Sequence, residues 1–228
     1  MPPAIEANQS NNTIVALCLH VFLQRRSFEM SSQSSLHTYL DWAKERLDEI
    51  DATLASFEHG AAKLQADART KAEKSITDMR TVRDDFYKAV REHGQASEAA
   101  IAQSKTALQT QWAAFESSVS SFLDATDRQA KEQEAAFRAR ADAQRKAWKE
   151  AIDKLHKSAT NFADSRREEV ETAVKHIKVD ADAAKAKLEK LRKAGSESWS
   201  AMQSALAETR VALDKANQAV HESLKRAA

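Results

Sequence analysis

The stretch Leu36–Ala68, LHTYLDWAKERLDEIDATLASFEHGAAKLQADA, decides the fold class. Its residues Leu36, Leu40, Ala43, Leu47, Ile50, Leu54, Phe57, Ala61, Leu64 and Ala68 follow each other by alternating steps of four and three. Those steps place one apolar stripe along a helix, and a stripe sustained this long predicts left-handed coiled-coil packing. A strand would alternate every second residue instead.

Outward from this stretch nothing breaks the pattern into short elements. Of 228 residues only three are glycine (Gly60, Gly94, Gly195), and both prolines lie within the first three positions. A sheet protein needs such residues at its turns. The chain therefore reads as all-α, with long amphipathic helices forming an antiparallel helical bundle or coiled coil.

The spacing changes in the middle. Phe122, Thr126, Ala130, Gln133, Phe137, Ala141, Gln144, Trp148, Ile152 and Leu155 step by four, four and three, and Phe115, Thr126, Phe137 and Trp148 stand eleven apart. Eleven residues in three turns keep a stripe nearly straight. Thr126, Gln133 and Gln144 soften this seam. Heptads return with Ile177, Ala181, Ala184, Leu188 and Leu191, then Trp199, Met202, Leu206, Thr209, Leu213, Ala216 and Val220.

Turns are expected near Gly94 and Gly195, where glycine can end a helix in the left-handed conformation. A third is expected near Lys157–Asn161. With all three, the bundle spanning 34–228 has three helices of roughly 60 residues, about 90 Å each at 1.5 Å per residue. Without the third, residues 95–193 form one helix that must find partners on another chain.

Residues 1–33 read as a separate flexible segment. Ile14–Leu23 is apolar but, at ten residues, too short to span a bilayer. No Lys or Arg precedes it, as a signal peptide would require, and Met30 is a candidate alternative start.

Composition narrows function more than it names it. Net charge is +1, and the balance holds along the chain, so a phosphate-neutralising nucleic-acid surface is not expected. The densest basic cluster, Lys185 to Lys193, is interrupted by Glu189 and reads as a solvated helix end. A lone Cys18 permits no intrachain disulfide. Seven histidines include no pair at the helical spacing that would aim two imidazoles at one metal. No phosphate loop, nucleophile elbow or Cys/His constellation is present. The chain is expected to be non-enzymatic, with no catalytic, cofactor-binding or metal-binding residues. Its working residues are the helix seam: Leu36, Leu40, Leu47, Ile50, Leu54, Phe57, Leu64, Phe115, Phe122, Phe137, Trp148, Ile152, Leu155, Ile177, Leu188, Leu191, Trp199, Met202, Leu206, Leu213 and Val220.

Two resemblances attach to these residues. Phe115–Leu155, with its eleven-residue spacing, resembles the tandem amphipathic helices of apolipoprotein-like proteins. Lys190–Leu213 (KLRKAGSESWSAMQSALAETRVAL), with Leu47–Glu58 and Leu64–Asp84, is similar to small bacterial coiled-coil proteins associated with stress resistance. In that family a K-x-A-G/S-x-x-x-W pattern opens the last helix. Here Lys193-Ala194-Gly195 and Trp199 match it with one spacer missing. The resemblance implies a bacterial cytoplasmic setting and a stress-related role, and it carries over no catalytic residue.

The first functional expectation is a structural or scaffolding protein that associates with a helical partner or with itself. The second is reversible binding to a lipid or storage-granule surface, in the manner of apolipoproteins and phasins. A stress protectant, partly disordered when dilute, is the third.

Overall fold

The computed structural model describes residues 37–93, 98–126, 129–160, 164–194 and 199–227. Segment 1–33, Leu36 and the expected turn residues Gly94 and Gly195 lie outside them. Among the described residues there are six α-helices and no strand. Helix α1 covers residues 37–61, α2 is Ala66–His93, α3 Glu98–Ala125, α4 Gln129–Ala159, α5 Asp164–Ala194 and α6 Trp199–Ala227. At 28 to 31 residues, α2 to α6 are about 42–46 Å long.

The helices are half the length that the apolar spacing suggests, because two seams expected to be continuous are broken. The first break lies in the heptad stretch itself. After Gly60 the chain tightens: the Lys63 amide donates to the Gly60 carbonyl (3.0 Å) and Leu64 to Ala61 (3.1 Å). The Arg69 guanidinium then donates to the freed carbonyls of Ala62 (2.9 Å) and Leu64 (3.2 Å), satisfying acceptors that a helix end leaves open. Asp67 in the first turn of α2 complements its dipole. Ala61 and Leu64 stay buried through the turn, which is why the apolar rhythm does not falter. The second break follows Ala125, inside the eleven-residue region.

Side-chain pairs give the directions. Glu58 pairs with Arg80 (2.7 Å) and Asp51 with Arg83 (2.9 Å), so α1 and α2 run in opposite senses. Tyr39 meets Ser104 (2.7 Å) and Phe57 stacks on Phe122 (ring centroids 3.8 Å), so α1 and α3 run in the same sense. On the other flank Asp41 meets Lys154 (2.7 Å) and Lys44 meets Glu150 (2.8 Å), which sets α4 opposite to α1. Arg46 meets Asp214 (2.8 Å) and Asp41 meets His221 (2.9 Å), so α6 also opposes α1. Helix α1 is thus enclosed by α2 and α3 on one side and by α4 and α6 on the other.

The apolar interior divides accordingly. One cluster joins α1, α2 and α3 through Trp42, Ile50, Phe57, Met79, Phe86 and Phe115, with Ala136 at its edge. A second is built from α4, α5 and α6 around Trp148, Leu155, Val174, Ile177 and Leu213. A third, smaller cluster gathers Phe137, Leu188, Met202, Ala205 and Leu206. The face of α1 turned to α4 and α6 carries charge.

Candidate functional site

Glu49 stands at the middle of that face and is 0% exposed. Its carboxylate accepts two bonds from Arg210, Nε to Oε1 and Nη2 to Oε2, each 2.8 Å. Arg140 Nε adds a third at 3.2 Å and Gln144 Nε2 a fourth at 2.9 Å. Arg140, itself 1% exposed, also reaches Glu116 of α3, Nη1 to Oε2 at 3.1 Å. One turn before Glu49, Arg46 forks onto Asp214 of α6 at 2.9 and 2.8 Å. Four helices therefore meet through seven ionic side chains: Glu45, Arg46, Glu49, Glu116, Arg140, Arg210 and Asp214.

The guanidiniums are doubly held. Arg210 lies 4.5 Å and Arg140 5.5 Å from the ring centre of Trp112, and Arg46 lies 4.5 Å from that of Trp42. Desolvated cations on aromatic faces gain about 2 kcal/mol or more each. Gln144 closes the layer by donating to the Leu206 carbonyl (2.9 Å) and accepting from Thr209 Oγ1.

The two carboxylates of α1 respond in opposite ways. Burial alone would raise the pKa of Glu49, but Arg210, Arg140 and the Gln144 bond outweigh it and hold the group at about 2. Glu45 is 3% exposed, and burial pushes its carboxyl well above the usual range. Arg46 opposes that shift, while Glu49 and Asp214 add to it. The arrangement can lock helix register and partner choice. Every guanidinium in it faces a carboxylate.

At the start of α1, Asp41 accepts from Lys154 and His221, and the His37 and His221 rings lie 6.0 Å apart. Burial acts to raise the Asp41 pKa, and these two partners bring it below its ordinary value. Among the described residues no cluster of His, Cys, Asp and Glu is suited to hold a metal ion. No described helix is long and apolar enough to cross a membrane.

The seam residues are shared among the three apolar clusters. Leu40, Leu47, Ile50, Leu54, Phe57, Leu64, Phe115 and Phe122 belong to the first. Trp148, Ile152, Leu155, Ile177, Leu213 and Val220 belong to the second, and Phe137, Leu188, Leu191, Met202 and Leu206 to the third. Trp199 touches both the first and the third. In the basic cluster, Lys187 pairs with Glu208 of α6.

Sequence reasoning missed the ionic layer. Glu45 and Glu49 occupy outer heptad positions, where charge ordinarily meets water. Two signals were available: Trp42 on the same outer face, and Gln144 at a seam position. Compared with protein-family models, curated proteins and solved structures, the chain gives no match.

Proposed function

We propose that the protein is a non-enzymatic helix-interaction protein whose α4–α6 half parts from α1–α3 along an ionic plane and, once freed, repacks with a partner helix. The ionic layer between separate apolar clusters carries this reading. Parting two helices of the first cluster would expose Phe57, Phe86 and Phe122 to water, at about 25 cal/mol per Å² of apolar surface. Parting α1 from α4 and α6 exposes mainly ions, whose rehydration offsets the lost pairing. The junction at Glu49 is therefore the plane along which the molecule opens most cheaply. Once open, α4, α5 and α6 keep only the contacts they make with one another, and a partner helix competes for those faces.

Spin labels on Lys88→Cys in α2 and Lys178→Cys in α5, in a Cys18→Ser background, test this. Pulsed dipolar spectroscopy should show a short distance and a minor long one that grows in Glu49→Gln. A single distance, unchanged by Glu49→Gln, would overturn the release reading.

A lipid or granule surface is the second reading. Among the described residues the apolar face of α5 packs against α4 and α6, and several of the residues covering it are small, such as Ala147, Ala151 and Ala216. Vesicles of neutral and anionic lipid separate the two, since membrane insertion would shift the Trp148 and Trp199 emission to the blue. No shift with either vesicle leaves the helical partner as the occupant.

A further inference from the structure

The layer around Glu49 holds one group it does not satisfy. Glu45 Oε1 is buried and has no hydrogen-bond partner, while Oε2 receives only a long bond from Arg46 (3.2 Å). That guanidinium nitrogen is shared with the Trp42 carbonyl (3.3 Å) and with Asp214, which holds it closer (2.9 Å). Glu45 also borders a cavity of about 100 Å³ between α1, α4 and α6.

With every group ionised, the layer holds four carboxylates (Glu45, Glu49, Glu116, Asp214) against three guanidiniums (Arg46, Arg140, Arg210). One negative charge is left over, and it falls on the carboxylate with the fewest donors. We propose that Glu45 is a proton-operated latch: protonated, it makes the layer neutral and clamps α1 to α4 and α6, and its ionisation loosens that clamp.

Among the described residues the cations around Glu45 are engaged elsewhere, and on α3 Lys105 lies over the Trp42 ring, 5.4 Å from its centre. On α1, Lys44 is held by Asp48 (2.7 Å) and by Glu150 of α4 (2.8 Å). On α4, Lys154 is bound to Asp41, and Arg140 is taken by Glu49 and by Glu116 of α3. On α6, Arg210 is taken by Glu49, and His221 is bonded to Asp41. Glu150, Asp214 and Glu49 face the site as further negative charge. The small cavity that Glu45 borders gives water, and therefore a proton, a place to enter.

A buried acid of this kind binds its proton more tightly folded than unfolded. Its contribution is present at low pH and is lost as pH rises from the ordinary carboxylate value toward that of folded Glu45, by at most tenfold in the folding equilibrium per pH unit. This deepens the release reading above, and the two fail separately. The spin-label distances at one pH test release, and the titration of Glu45 tests the latch.

The first experiment is urea unfolding of the full chain as a function of pH. Above about pH 4.5, where the Glu49 contribution is already complete, wild type should lose stability with rising pH, and Glu45→Gln should abolish that slope. His221→Gln is the control and should retain it. The second is carbon NMR of the Glu45 carboxyl in the wild-type chain, which does not depend on a variant folding. A titration midpoint well above the ordinary glutamate range is expected. A midpoint within that range, or a slope that Glu45→Gln leaves intact or that His221→Gln removes, overturns the proposal.

Discussion

A single carboxylate, Glu49, joins α1 to α4 and α6 through two arginines and a glutamine. Glu49→Ala would leave Arg140 and Arg210 buried without their common anion, and removing one partner of a buried pair costs about 3–5 kcal/mol. The urea midpoint should fall accordingly. Replacing Glu49, Arg140 and Arg210 together by apolar residues of similar volume should recover most of that loss, since a well-packed apolar substitute is often neutral or stabilising. The pH response follows from the same residue. The pKa of folded Glu49 is about 2, below its unfolded value of about 4.5, so its stabilisation is present above pH 4.5 and is lost as pH falls toward 2. Acid unfolding monitored by circular dichroism should begin in that window, and Glu49→Gln should remove this part of the dependence. Beyond Trp42 and Gln144, little of it was legible at the residue scale. Glu45-Arg46 and Glu49 have the composition of a solvated helix face, and only packing by α4 and α6 turns that face inward.

Helix existence was far easier to read than helix length. The 4-3 rhythm of Leu36–Ala68 reports which residues are buried, and burial continues across a turn when residues such as Ala61 and Leu64 point inward from it. Gly60 was the available sign of the break, yet it lies in α1 itself, in its last turn. It serves a close approach: a Cβ there would overlap the Glu132 carboxylate of α4, which is buried. Gly60→Ala should gain about 1 kcal/mol from helix propensity and lose most of it by displacing Glu132. In a Glu132→Ala background the same change should show the full gain. A double-mutant cycle by thermal unfolding checks this, and additive effects would mean that Glu132 moves aside at no cost. The Phe57–Phe122 stack makes the complementary point. Both rings came out of the seam reading, but their meeting across α1 and α3 did not, because spacing within one helix is silent about which other helix faces it. Phe57→Ala should cost about 3–5 kcal/mol, read from the urea midpoint.

The whole molecule turns on α1 serving two sets of neighbours. Amphipathicity predicts one covered face per helix, so a helix covered on both sides, by apolar packing on one and ions on the other, has no simple periodic signature. That is why the all-α class could be read from Leu36–Ala68 while the choice of partners for each helix could not. The same arrangement bears on assembly. A single uninterrupted helix over 95–193 would have to lend its seam to another chain, but the six described helices close their seams on each other. Among the described residues the large apolar side chains left exposed are Tyr87, Val179 and Val211, on three different helices. Such scattered groups do not form a patch of the size that stable association needs. The closed protein should therefore have the light-scattering mass of one chain, 25.3 kDa, and a melting midpoint that does not change with concentration. Glu49→Gln weakens the plane between α1 and α4–α6 and leaves α4–α6 packed only on one another, so the same measurement on that variant should show mass rising with concentration as freed α4–α6 halves exchange helices. A wild-type chain that already melts at a concentration-dependent midpoint would show that the seams are shared between chains before any release.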